Sequence, residues 1–72
     1  MGNVGMVGKI RVLERADGIV RFRYVDGELT GVYALELGED PLTAIFDSRN
    51  VVVSTVKSQH IVPCLRKEGI ID

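Results

Sequence analysis

The sequence predicts an all-β fold: a small, strongly bent meander or barrel of five to six strands, forming one domain over residues 1–72. Three observations predict it. Apolar and polar residues alternate with a period of two along 4–12 and again along 19–25. Clusters of turn-forming residues punctuate the chain at short intervals, at Ala16-Asp17-Gly18, Asp26-Gly27, Gly38-Glu39-Asp40-Pro41 and Asp47-Ser48-Arg49-Asn50. No stretch of about ten residues or more reads with helical periodicity.

The elements follow in order. In the first strand Val4, Met6, Gly8, Ile10 and Val12 share one face, with Lys9 and Arg11 on the other. Gly18 suits the positive-φ position that closes a short hairpin. The second strand, 19–25, turns Val20, Phe22 and Tyr24 inward and Arg21 and Arg23 outward. Read as a two-residue turn, Asp26-Gly27 sets Tyr24 opposite Leu29, Phe22 opposite Gly31 and Val20 opposite Tyr33. Inward residues then meet an apolar set, and a slip of one position would reverse every side chain. Gly38 and Pro41 end the third strand. A fourth is expected over 42–46, and a fifth, rich in β-branched residues, over 51–56. Lys57-Ser58-Gln59-His60 reads as a tight turn, and 61–65 as a short last strand that Pro63 assigns to an edge. The stretch 66–72 reads as a flexible tail in which Ile70 and Ile71 can pack on a neighbour. Short strands and tight turns of this kind build SH3-like, Sm-like or OB-like barrels.

Composition narrows the function classes. Of 72 residues 46% are hydrophobic and 26% charged, with 9 Lys and Arg against 10 Asp and Glu, for a net charge of −1. That is too apolar and too neutral for disorder, and it lacks the cationic excess of a general nucleic-acid binder. The single cysteine, Cys64, cannot close an internal disulfide, so a reducing, cytoplasmic setting is expected. No His, Cys and carboxylate cluster has metal-ligand spacing, and no cofactor is expected. The start of the chain carries no signal-peptide pattern, and no apolar run is long enough to span a bilayer, so no membrane partner is expected. Gly8-Lys9 lacks the upstream glycine and the following Ser or Thr of a phosphate-binding loop.

A core this small leaves stability marginal, and self-association is a common remedy. The mean hydropathy of +0.17 leans the same way. Val51-Val52-Val53 and Ile61-Val62 are apolar at consecutive positions, hence on both faces of a strand. Either a second copy covers the outer side or the strand enters a corner covered internally. The first reading places an oligomer interface at Val51, Val53, Ile61 and Val62.

Charge is the most informative functional feature. If Arg15 faces Ile19 across the first turn, Leu13 faces Arg21, Arg11 faces Arg23 and Lys9 faces Val25. Lys9, Arg11, Arg15, Arg21 and Arg23 then share one exposed face. Such a patch fits an anionic small molecule, an acidic protein surface or single-stranded RNA. It also fits a solvated face neutralised by Glu14, Asp17 and Glu28. RNA is not favoured, because Phe22 and Tyr24 point inward and leave no aromatic among the arginines to stack on bases. Catalysis is not expected. Ser58 and His60 make no nucleophile–base pair, Cys64 between Pro63 and Leu65 reads as an inert thiol, and Glu39 and Asp40 belong to a solvated turn. These features describe a non-catalytic, self-associating binding module, or else a structural subunit of a larger assembly.

The segment Leu42-Thr43-Ala44-Ile45-Phe46-Asp47-Ser48-Arg49-Asn50-Val51-Val52-Val53-Ser54, with Leu37-Gly38-Glu39-Asp40-Pro41 before it, resembles the final strands of the TOBE and Mop domains. These are small β-barrels attached to transporters and regulators, some of which bind molybdate at interfaces between copies. Asp47-Ser48-Arg49 stands where the molybdate-binding members carry Lys-Ala-Ser, so the resemblance implies the fold and a tendency to associate rather than the ligand. Asp26-Gly27-Glu28-Leu29-Thr30-Gly31-Val32 and Ser58-Gln59-His60-Ile61-Val62-Pro63 resemble Sm-like barrels, which implies a ring that binds RNA.

Overall fold

The computed structural model describes residues 8–72. The expected first strand therefore has its residues 4–7 outside the described part, and β1 begins at Lys9.

β1 (Lys9–Ala16) and β2 (Ile19–Val25) are joined at Asp17 and Gly18, both at positive φ (57° and 75°). That conformation matches the right-handed twist of the flanking strands and pairs Ala16 with Ile19. From the far end Lys9 pairs with Val25, Ile10 with Tyr24, Arg11 with Arg23 and Val12 with Phe22. Leu13 is the extra residue of a β-bulge, after which Glu14 pairs with Arg21 and Arg15 with Val20. The expected Arg11–Arg23 and Lys9–Val25 pairs are present, whereas the expected Arg15–Ile19 and Leu13–Arg21 pairs are displaced by the bulge.

The second hairpin closes through a five-residue loop instead of a two-residue turn. A 3-10 turn over Gly27–Leu29 fills it, and the Asp26 N–H donates to Thr30 Oγ1 at 3.0 Å. β3 (Gly31–Glu36) is thereby set two residues further along, with Tyr24 opposite Gly31, Phe22 opposite Tyr33 and Val20 opposite Leu35. A shift of two preserves the faces, so the inward set is unchanged. β4 (Ile45–Asp47) adds three residues beside β3. Among the described residues the sheet is open, in the order β1-β2-β3-β4, and does not close into a barrel.

The expected fifth and sixth strands are not strands. Past Asn50, only Val52 bridges to Phe46, and Thr55–Lys67 forms helix α1. Ser54 caps it, its Oγ accepting from the Lys57 N–H at 3.2 Å. Ser58, Ile61, Val62 and Leu65 are buried at the i, i+3, i+4, i+7 spacing of one helical face. Arg66 and Lys67 occupy the last turn, where cations suit the carbonyl end. Gly69, at φ 77°, then lets the Ile70 N–H reach the Leu65 carbonyl and its own N–H reach that of Arg66. These two bonds form a Schellman stop, and Ile70 packs in the core with Leu65. Pro63, expected in an edge strand, sits inside the helix on its exposed side.

α1 is the second layer of the fold. Val20, Phe22, Tyr24, Tyr33, Leu35 and Ile45 on the inner sheet face share one core with Val53, Ile61, Val62, Leu65 and Ile70. The Phe22 and Tyr33 rings lie 6.0 Å apart, and Tyr24 meets Tyr33 edge-on at 6.3 Å. The consecutive apolar residues Ile61 and Val62 thus both lie on the covered side of a helix, and Val53 points into the same core. As placed, these three are filled by the chain's own sheet, and only Val51 of the expected interface set is exposed. The apolar runs mark a helix–sheet junction and give no reason for a second copy at that place.

Candidate functional site: the outer face of the sheet

Alternation along β2 that sends Val20, Phe22 and Tyr24 into the core sends Arg21 and Arg23 to the opposite face. Directly paired residues share a face, so Lys9, Arg11, Arg21 and Arg23 lie together on the outside of the β1–β2 hairpin. Arg15 does not join them. Beyond the bulge it pairs with Val20, which puts it on the inner side of β1 and exposed. Glu14 takes the outer position instead, and its Oε1 lies 3.5 Å from Arg21 Nε. Both side chains are more than half exposed, so this pair contributes little to stability. Among the described residues it is the only ion pair made by these four cations. Asp17 and Glu28, expected to neutralise the patch, form no ion pair with it. Arg11 directly opposes Arg23, a like-charge arrangement that costs a few tenths to about 1 kcal/mol.

The other half of this face is apolar. Arg23 pairs with Val32, and Arg21 with Ala34, which in turn pairs with Phe46 on β4 and so leads to Val52. One row across the sheet therefore reads Glu14, Arg21, Ala34, Phe46, Val52. Val32, Ala34 and Phe46 are half-buried, whereas Val25 and Val52 are exposed. No described element packs over this row. Phe46 was missed as a surface residue; the signal was its neighbour Ile45, whose inward position on a strand sends Phe46 outward.

At the first turn a shallow groove of about 190 Å³ is lined by Glu14, Ala16, Asp17, Ile19 and Arg21, smaller than typical small-molecule sites of roughly 300–1,000 Å³. A second depression of about 350 Å³ lies elsewhere, between Leu37, Pro41, Arg66 and Ile71.

The remaining candidates are structural in their surroundings. Ser58 is fully buried and its Oγ has no hydrogen-bond partner among the described residues, whereas His60 is exposed on another side of α1. The Tyr24 hydroxyl donates to Asp26 Oδ2 at 2.9 Å, with the His60 carbonyl oxygen at 3.3 Å. Burial, followed by the Asp26 hydrogen bond, raises the Tyr24 pKa well above its ordinary value. Burial and then the Asp47 charge raise that of Tyr33, whose hydroxyl donates to the Leu29 carbonyl at 2.6 Å. The half-buried Cys64 Sγ lies 3.6 Å from the Gly8 carbonyl oxygen. Asp40 Oδ1 accepts from the Leu42 N–H at 3.0 Å, a turn role. Asp47 accepts from the backbone N–H groups of Val51 and Arg49, which together with the nearby Arg49 guanidinium lower its pKa. Among the described residues no three His, Cys, Asp or Glu side chains could hold a metal ion, and no helix is long and apolar enough to cross a membrane.

Fold and surface together define a two-layer class, a four-stranded antiparallel sheet with one helix on its inner face and a mixed cationic and apolar outer face. Compared with known protein families, curated proteins and solved structures, the chain gives no match.

Proposed function

We propose that the chain is a non-catalytic binding module whose outer sheet face engages an acidic protein surface. The observation that carries this reading is the direct opposition of Arg11 and Arg23, with Lys9 one position along β1's outer row and no acidic partner for any of the three among the described residues. Carboxylates from outside relieve that repulsion, and the row Val32, Ala34, Phe46 beside it offers apolar contact to the same partner. Interfaces combine these two features, a partly apolar centre and arginines that fork onto carboxylates. The groove at the first turn holds only Arg21 of these cations, beside Glu14 and Asp17, so it gathers no cationic pocket for a small anion, which favours a macromolecular surface.

One observation favours a second reading. Phe46 places an aromatic ring on the arginine face, which single-stranded RNA could use as a stacking platform. It is a single platform in a chain of net charge −1, so the acidic protein surface is preferred.

Binding of a fluorescent polyglutamate peptide, measured by anisotropy at low salt, tests both readings. The peptide is expected to bind, to be released by added salt, and to bind about tenfold more weakly to R23E. Retention of oligouridylate that F46A abolishes would establish the RNA reading instead. Failure of both probes to bind at low salt would remove the cationic face as a binding site.

A further inference from the structure

β1 lies at the edge of the sheet, and among the described residues no strand pairs with its outer side. It is long for an edge, 8 residues against 3 in β4 at the opposite edge. Such a strand presents a row of unpaired N–H and C=O groups, a template for another chain. Ile10 packs against the core, but Val12 and Leu13 stay 41% and 47% exposed in the middle of the strand.

A bulge commonly protects an edge by disturbing its pairing. The one at Leu13 has the opposite consequence for pairing of β1 with itself. When two copies pair antiparallel about a two-fold axis normal to the sheet, residues opposite one another must lie on the same face. The bulge reverses the alternation on its far side, so Lys9, Arg11, Glu14 and Ala16 are outer residues and Ile10, Val12 and Arg15 inner ones. One register then matches the faces on both sides of the bulge. Lys9 meets the partner's Ala16, Ile10 the partner's Arg15 and Arg11 the partner's Glu14, while Val12 lies beside the partner's Leu13 at the axis. A slip of one in either direction sets Ile10, an inner residue, against the partner's Glu14 or Ala16, which are outer ones.

Charge is self-complementary in the same register. Arg11 faces the partner's Glu14 twice over, and no like charges are directly opposed between the copies. Glu14, already 3.5 Å from Arg21, then lies between two arginines, and the repulsion between Arg11 and Arg23 is offset from the other side. The two exposed apolar residues of the edge cover one another.

We propose that the protein forms a two-fold dimer by antiparallel pairing of β1 with β1 of a second copy, joining two four-stranded sheets into one continuous sheet. Both helices then lie on one side and both arginine faces on the other. This inference does not rest on the acidic-partner reading but shares Arg11 with it, since the partner's Glu14 and an outside carboxylate would offset the same repulsion. The tests separate them, because this one uses Arg11 and Glu14 at the edge and the other Arg23 on β2. Edge pairing buries less than the roughly 1,200–2,000 Å² of a standard interface, so the dimer is expected to dissociate on dilution.

Sedimentation velocity over about 5–500 μM protein reads the equilibrium directly. R11E is expected to weaken the dimer about tenfold by turning two attractive pairs into repulsive ones. Its fold is retained, since Glu at that position faces Arg23 within the chain, and thermal unfolding by circular dichroism checks this. E14R weakens the dimer similarly, and the double variant R11E/E14R restores it. In a mixture of isotope-labelled and unlabelled wild-type protein, intermolecular contacts between the Val12 and Leu13 methyl groups are expected. A monomer at every concentration overturns the proposal, as does a dimer indifferent to R11E, one that the double variant fails to restore, or one lacking the Val12–Leu13 contacts.

Discussion

The two faces of the sheet are built from alternate residues of the same strands, yet they end in opposite states. Val20, Phe22, Tyr24, Tyr33, Leu35 and Ile45 are sealed under α1, while Arg21, Arg23, Val32, Ala34 and Phe46 have no described element packed over them. The inner face carries the stability of the fold, because each of its large side chains contributes on the order of 1.5–3 kcal/mol of burial. Truncation on the outer face removes little that folding needs. The contrast teaches that outer substitutions can be read for binding, and inner ones for folding, with little confusion between them.

Phe22→Ala is the strongest way to break the inner face. Phe22 is wholly buried against Tyr33, so a loss of about 3–5 kcal/mol is expected in urea unfolding. Leu65→Ala tests the helical side of the same core and is expected to cost about 2–5 kcal/mol. If 61–65 were instead an exposed edge strand, the change would cost far less. Ser58→Ala sharpens the picture in the other direction. It removes a buried hydroxyl without a partner among the described residues and inserts a better helix former, so the midpoint of unfolding is expected to rise by the equivalent of about 1 kcal/mol. On the outer face, Arg23→Glu is expected to raise stability by a few tenths of a kcal/mol by ending the opposition to Arg11, while binding of polyglutamate falls.

The ionisable groups separate the regions by pH. Asp47 has a lowered pKa in the folded chain, so its contribution is present above the ordinary carboxylate range and is lost as pH falls through the lowered value. Acid therefore loosens the turn after β4, and Asp47→Asn is expected to flatten the acid limb of the stability profile. Tyr24 and Tyr33, on the inner face, have raised values. Their contribution is present below the ordinary tyrosine value of 10.0 and is lost as pH rises beyond it through the folded values. Phenylalanine at Tyr24 is expected to reduce the alkaline loss measured by thermal melts at stepped pH.

The first hairpin was legible because its signals are local. Period-two alternation along 19–25 and the Asp17-Gly18 turn place four of the five expected cations on the outer face. The bulge at Leu13 was not legible, since Val12 and Leu13 are both apolar and either can face the core side, and it was this bulge that moved Arg15. The length of the second turn is not legible, because Asp26-Gly27 satisfies a two-residue turn locally. The hydrogen bonds from Tyr33 to Leu29 and from Asp26 to Thr30 instead hold a longer loop. The helix was obscured by Val56, Ile61 and Val62, which favour strands, and by Pro63, which reads as a strand edge. Its own signals were nevertheless in place: Ser54 at the cap, the apolar Ile61, Val62 and Leu65 at helical spacing, and Gly69 at the stop. Helix and barrel exclude one another here, because the residues needed to close the barrel form the second layer.

The measurement that bears most directly on the open outer face is a titration of isotope-labelled protein with polyglutamate, followed by amide and methyl chemical shifts at low salt. Shifts are expected at Lys9, Arg11, Arg21, Arg23, Val32 and Phe46, with α1 unaffected. Shifts confined to α1, or none at saturating peptide, would contradict the assignment of binding to the outer face.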